Sequence, residues 1–133
     1  MNHRPLSPHL GVYKFAYTMA LSILHRITGC AAAVGFLAFV WWLTSLASGP
    51  AVYARTMASL STSFAKLMLV GFAFSFVYHF CNGIRHLVWD TGRGLERKQA
   101  RASGYVVIVA ALIITAVVVM YACHAMGFSG GAA

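Results

Sequence analysis

Histidine is the residue type that offers chemistry in this 133-residue chain, which holds six of them. His79 precedes Arg85 by six residues, which on a helix places it about 9 Å deeper in an uncharged apolar stretch. His86 follows His79 at i+7 on the same helix face, and Gly83 lies between them at i+4. A flat macrocycle could rest on the bare backbone at Gly83 while His79 reaches its iron. Arg85 and His86 are then expected at the level of its acidic edge.

The spacing alone leaves three roles open for His79. Imidazole is a standard axial ligand of haem iron. The same residue could instead pack against a neighbouring helix, with Gly83 as a point of close approach, or serve a proton or ion path. One histidine fills one axial position, so haem binding would need a second ligand from His25, His124 or another chain.

A second group of polar side chains lies in the stretch SILHRITG, before an apolar run. Ser22, His25 and Arg26 have the spacing i, i+3 and i+4, which places them on one face at the mouth of a helix. Their hydroxyl, imidazole and guanidinium could bind a polar head group whose apolar tail lies in the bilayer. For Arg26 taken alone, an interfacial side chain that reaches lipid phosphate fits at least as well.

The composition requires these residues to be positioned by membrane-spanning helices. Hydrophobic residues make up 60% of the chain and charged residues 9%, whereas soluble domains carry about 25% charged residues. This balance excludes disorder, a coiled coil and an ordinary soluble enzyme. It also argues against a nucleic-acid partner despite the net charge of +8, because basic nucleic-acid domains cluster their charges on a solvated surface.

Three proline-free stretches are long enough to span a bilayer. We predict a single membrane-anchor domain over 1–133, with a surface arm at 1–19 and transmembrane helices at about 20–48, 63–90 and 104–128. The arm does not have the pattern of a signal peptide. Most Lys and Arg residues fall in the arm, the first helical turns and the second connection. The positive-inside rule therefore predicts that the N-terminus is inside and the C-terminus outside.

Three motifs in order resemble the cytochrome b subunits of succinate dehydrogenase, the membrane anchors of respiratory complex II. They are RPLSPHLGVYK at 4–14, SILHRITG at 22–29 and HFCNGIRHLVWD at 79–90. The resemblance implies an all-α integral membrane fold that binds haem b in a bundle completed by a second anchor subunit. It raises haem above the other roles that spacing leaves open for the histidine within the third motif.

Position by position, the resemblance implies a role for five residues. His79 matches a haem axial ligand, His86 lies near the haem propionates and His25 lies close to the haem edge. Ser22 matches a residue of the ubiquinone pocket, and Arg26 matches one between the quinone and a propionate. The other axial histidine is implied to come from the second small anchor subunit. Cys81, Asn82 and His124 have no assigned role.

The function implied is electron transfer from succinate to ubiquinone, in the respiratory chain and the tricarboxylic acid cycle. Succinate is expected to be oxidised on a flavoprotein partner, with electrons carried by an iron–sulfur subunit, so no catalytic residue is expected in this chain. Membrane lipid is the remaining partner. We expect the bacterial inner (cytoplasmic) membrane rather than the mitochondrial inner membrane. The alternatives are a haem-free structural anchor, a small proton-conducting or transport subunit, and a fumarate reductase anchor.

Overall fold

The structure, a computed structural model, describes residues 17–125. Within this range the chain forms four helices and no strand: α1 (Tyr17–Ala47), α2 (Pro50–Leu60), α3 (Ser63–Asp90) and α4 (Arg97–Ala125). By length and composition, α1, α3 and α4 can each cross a membrane. The predicted all-helical fold with three spans is confirmed. The N-terminal motif and most of the predicted surface arm lie outside the described residues.

The three long helices exceed the thickness of the bilayer core. They contain 31, 28 and 29 residues, or about 42–47 Å at 1.5 Å per residue, against a hydrocarbon core of about 30 Å. No proline interrupts them, so each backbone hydrogen-bond ladder runs from end to end. Each helix therefore extends beyond the apolar core and carries polar residues at its ends.

The buried side chains are mostly small or polar, and the exposed ones are mostly apolar. Asn82 and Arg85 are among the most buried side chains of α3, while Phe64 and Leu87 on the same helix are largely exposed. Lipid solvates apolar side chains, so the helices associate through small residues and hydrogen-bonding groups instead of an apolar core. This distribution agrees with a chain whose outer surface faces lipid and other membrane helices.

Helix α3 lies between α1 and α4 and packs against both. Glycine permits the close approach, because a Cβ at Gly35 would collide with the Phe72 ring and one at Gly104 would lie 2.5 Å from Leu21 Cδ1. Tyr78 of α3 is fully buried, and its hydroxyl donates to the Leu21 carbonyl at 3.4 Å. The start of α1, the end of α3 and the start of α4 consequently meet at one end of the bundle.

Two of the three connections between helices depend on glycine and proline. Gly49, with a φ of 104°, separates α1 from α2, and Pro50 occupies the start of α2, where its missing N–H leaves no bond unmade. Gly92 and Gly94 have φ values of 78° and 75° in the α3–α4 connection, which the Trp89 indole closes by donating to the Gly94 carbonyl at 3.1 Å. The sequence did not predict α2.

Candidate functional site

Three histidines, here called the histidine cluster, meet between α1 and α3: His25, His79 and His86. The rings of His25 and His79 are stacked with centroids 4.0 Å apart and planes 9° apart. The His25 and His86 centroids are 5.2 Å apart, and His86 also meets Trp89 edge-on at 5.1 Å. His79 and His86 therefore share the face of α3 that the i+7 spacing predicts, and α1 brings His25 against both.

A backbone contact sets the protonation pattern of the His79 ring. His79 Nδ1 lies 3.1 Å from the carbonyl oxygen of His25. A carbonyl only accepts hydrogen bonds, so Nδ1 carries the hydrogen and Nε2 keeps its lone pair. Within residues 17–125, Nε2 makes no hydrogen bond. This is the arrangement of a metal-ligating imidazole, whose second nitrogen donates to a carbonyl or carboxylate.

Glycine leaves space on both helices of the cluster. On α1, a Cβ at Gly29 would lie 2.8 Å from Cε1 of His79, so only glycine allows the ring to sit where it does. On α3, a Cβ at Gly83 would meet nothing within 4 Å. The backbone between His79 and His86 therefore faces open space, as a site for a flat group requires.

The donor set fits one axial position of a haem. Among the described residues, no three His, Cys, Asp or Glu side chains are grouped to hold a metal ion. Axial ligands point their nitrogens at an iron between them, whereas His25 and His79 stack face to face, so His25 is not placed as the second ligand. His124 is exposed in the last turn of α4, at the other end of the bundle. Among residues 17–125, neither His25 nor His124 is therefore placed as a second ligand.

The remaining predicted residues lie beside the cluster with unused hydrogen-bonding capacity. Ser22 is half-buried and Arg26 exposed, and within the described part of the chain neither side chain makes a hydrogen bond. His25 Nδ1 is buried and has no hydrogen-bond partner among residues 17–125. The structure thus brings Ser22, His25 and Arg26 to one end of the bundle, but gives their side chains no hydrogen-bond partner among residues 17–125.

A second set of polar residues, the arginine cluster, joins α3 to α4. It consists of Asn82, Arg85, Ser103 and the carbonyl of Ala100. Arg85 donates from Nε to Ser103 Oγ at 2.9 Å, and from its two terminal nitrogens to Asn82 Oδ1 at 3.2 Å and the Ala100 carbonyl at 2.7 Å. Its guanidinium carbon also lies 4.0 Å from the centre of the Trp89 ring, a cation–π contact. All of these partners belong to α3 or α4.

The arginine cluster corrects one expectation and supplies one missing role. Arg85 was expected at the acidic edge of a macrocycle, but it is 7% exposed and uses all three nitrogens on α3 and α4. Asn82, to which the sequence assigned no role, is 1% exposed and bonds Arg85. The i, i+3 spacing of a polar pair within an apolar helix was the available signal.

Comparisons with known proteins agree with this architecture. The family model described as "Succinate dehydrogenase/Fumarate reductase transmembrane subunit" matches residues 1–118. The chain is 42% identical over 115 residues to the succinate dehydrogenase cytochrome b556 subunit of Rickettsia prowazekii (strain Madrid E), covering 86% of this chain and 89% of the relative. It is 35% identical over 112 residues to the succinate dehydrogenase cytochrome b556 subunit of Paracoccus denitrificans, covering 84% of this chain and 86% of the relative.

A mitochondrial relative matches as well. The human mitochondrial succinate dehydrogenase cytochrome b560 subunit is 41% identical over 110 residues, which cover 81% of this chain and 65% of that protein. Together with the three apolar helices, these matches identify the kind of subunit. The chain belongs to the succinate dehydrogenase and fumarate reductase transmembrane subunits, as a membrane anchor of the cytochrome b kind.

Proposed function

We propose that this chain binds haem b through His79 and helps to form a ubiquinone-reduction site beside it. The observation that carries the proposal is the His79 ring, whose Nδ1–H is bonded to the His25 carbonyl while Nε2 has no partner within residues 17–125. The open backbone at Gly83 and the name of the cytochrome b relatives support the same assignment. When bound, the haem supplies a one-electron couple beside the path to quinone.

The other residues of the histidine cluster would hold the edge of the haem. His86 lies on the face of His79 and contacts His25, so both imidazoles can donate hydrogen bonds to propionates. Arg26 is exposed at the same end of α1 and has the fixed donor geometry that suits carboxylate oxygens. The second axial histidine would come from a second small anchor subunit, because no described residue of this chain is placed to supply it.

The quinone head group would bind at Ser22 and Arg26. Both side chains retain free hydrogen-bonding capacity within the described part of the chain, and both lie in the first three turns of α1. The Ser22 hydroxyl and the Arg26 guanidinium can donate to a quinone carbonyl oxygen, while an apolar tail enters the lipid. This end of the bundle is the predicted inner side, where a soluble partner would dock.

The wider assembly follows from that role. Succinate would be oxidised on a flavoprotein subunit, with an iron–sulfur subunit delivering electrons to quinone at the anchor, in the bacterial cytoplasmic membrane. The bacterial relatives favour that membrane, although a mitochondrial relative also matches. The basic residues near the predicted inner surface would contact the partner subunits and anionic lipid. Fumarate reduction remains the alternative direction, since the family includes both activities.

The direct test is a reduced-minus-oxidised absorption spectrum of the purified complex. We expect b-type haem bands that succinate reduces, because the haem would lie beside the electron path. A complex that oxidises succinate and reduces quinone without any haem band would instead establish a haem-free structural anchor, in which His79 only packs against α1.

A further inference from the structure

We propose that Gly29 and the backbone carbonyl of His25 are positioning elements that fix where the His79 ring lies against α1 and which tautomer it adopts as a haem ligand. The inference rests on the proposed haem role of His79. It assigns a function to two groups on α1 that cannot themselves touch iron. Both lie one helical turn apart, and both contact the same ring.

The steric part follows from the space at Gly29. A Cβ on this residue would lie 2.8 Å from Cε1 and 3.1 Å from Nδ1 of His79. A contact under 3.0 Å forces one group to move, and the neighbour is an imidazole already stacked at 4.0 Å on His25. Any side chain at position 29 would therefore displace the His79 ring from α1.

The hydrogen bond from His79 to the His25 carbonyl also requires that position 29 has no side chain. In a helix the carbonyl of residue i points toward residue i+4, so the His25 carbonyl is reached past position 29. Glycine there lets the His79 ring approach that oxygen to 3.1 Å. The bond fixes the hydrogen on Nδ1 and leaves the Nε2 lone pair available to a metal, and losing such a partner typically costs about 10–100-fold in metal affinity.

The first experiment replaces glycines of the spans in the complete complex. Gly29→Ala is compared with Gly35→Ala, which also crowds the α1–α3 interface but at Phe72, and with Gly71→Ala, where no atom lies within 4 Å. We expect haem transfer to apomyoglobin to become about 10-fold faster or more in Gly29→Ala alone. Equal haem loss from Gly29→Ala and Gly35→Ala would show a general packing effect and overturn the inference, as would a Gly29→Ala complex that behaves like the wild type.

The second experiment tests the hydrogen bond without relying on the glycine variants. A His79→Gly complex is supplied with haemin and titrated with imidazole, 4-methylimidazole and 1-methylimidazole, and ligation is followed in the Soret band. 1-Methylimidazole has the size of 4-methylimidazole but no N–H to donate once its other nitrogen binds iron. We expect it to bind at least about 10-fold more weakly and to give a higher haem reduction potential. Equal affinities and potentials for the two methylated ligands would refute the carbonyl's role.

The outcomes separate this inference from the function it rests on. If His79→Ala keeps its haem, then His79 is not the haem ligand, and both the proposed function of His79 and the proposed positioning roles of Gly29 and the His25 carbonyl fail. If His79→Ala loses its haem but the Gly29→Ala complex and the two methylated imidazoles show no difference, only the positioning inference fails.

Discussion

The histidine cluster and the arginine cluster lie at the same end of the bundle, on different faces of α3, and treat their polar groups differently. In the arginine cluster, all three nitrogens of Arg85 donate hydrogen bonds to α3 and α4. In the histidine cluster, Nδ1 of His25 is buried without a partner and Nε2 of His79 makes no bond, as far as residues 17–125 show. Ionisable groups are costly within a membrane. The arginine cluster therefore uses its polar groups to join helices, whereas the histidine cluster keeps polar atoms available for a bound group.

The difference teaches how to tell a structural polar group from a functional one in a membrane subunit. A group whose hydrogen bonds are nearly all made within the chain stabilises that chain's own helices. A polar group that has no hydrogen-bond partner within the chain, and that lies beside exposed glycine backbone, is suited to a ligand or a partner subunit. Within the arginine cluster, Asn82 Nδ2 departs from this pattern, being the one atom there without a partner among the described residues.

The largest effect on stability should come from Arg85→Met, which removes the charge while keeping most of the volume. Three hydrogen bonds are lost, and the Ala100 carbonyl and Asn82 Oδ1 each lose a donor, so we expect about 2–4 kcal/mol less stability. Thermal unfolding in detergent measures this. Arg101→Met, an exposed residue of α4, is the control. If Arg85→Met changed the haem spectrum but left the stability unchanged, the arginine cluster would serve haem binding instead of helix packing, which would contradict this comparison.

A smaller effect, confined to function, is expected for Ser22→Ala. Loss of one hydrogen bond of about 1–2 kcal/mol to the quinone should lower quinone reduction about 5- to 30-fold. Succinate oxidation with an artificial acceptor should be unchanged, because it does not need the anchor's quinone site. Ser48→Ala, beyond the other end of α1, serves as the control, since this hydroxyl bonds only its own helix. Equal loss of both activities would indicate misassembly instead.

The smallest effect is expected for Asn82→Ala. This change removes one hydrogen bond to Arg85, but it also removes the amide nitrogen that has no partner among the described residues. The two contributions oppose each other, so stability should fall by about 1 kcal/mol or less. The same unfolding measurement, with Arg85→Met as reference, tests it. A loss as large as that of Arg85→Met would mean that the amide nitrogen has a partner supplied from outside the described chain.

The sequence was a good guide to whatever depends on periodicity. Three spans, the shared face of His79 and His86, and the stop at Gly49 follow from apolar runs, helical spacing and backbone chemistry. The short helix α2 was missed, because eleven residues with mixed polarity carry little pattern of their own. The start of α4 at Arg97 was likewise hidden, since charged residues that favour helix were read as part of a connection.

Contacts between helices were harder to predict than which residues share one face of a helix. Spacing shows that Arg85 and His86 are neighbours in the chain, but only the packing of α4 on α3 shows that Arg85 turns toward Ser103. In the same way, nothing in the SILHRITG motif indicates that the His25 carbonyl would accept a bond from a side chain 54 residues away. The membrane orientation and the roles of Ser22 and Arg26 stay predictions.

The central claim is that the histidine cluster holds haem through His79, and the haem content of the assembled complex tests it most directly. Haem per flavin should be measured by absorbance for the wild type, His79→Ala and His124→Ala, the last being a histidine in an apolar helix far from the cluster. We predict that His79→Ala falls to background while His124→Ala matches the wild type. Full haem content in assembled His79→Ala would contradict the account.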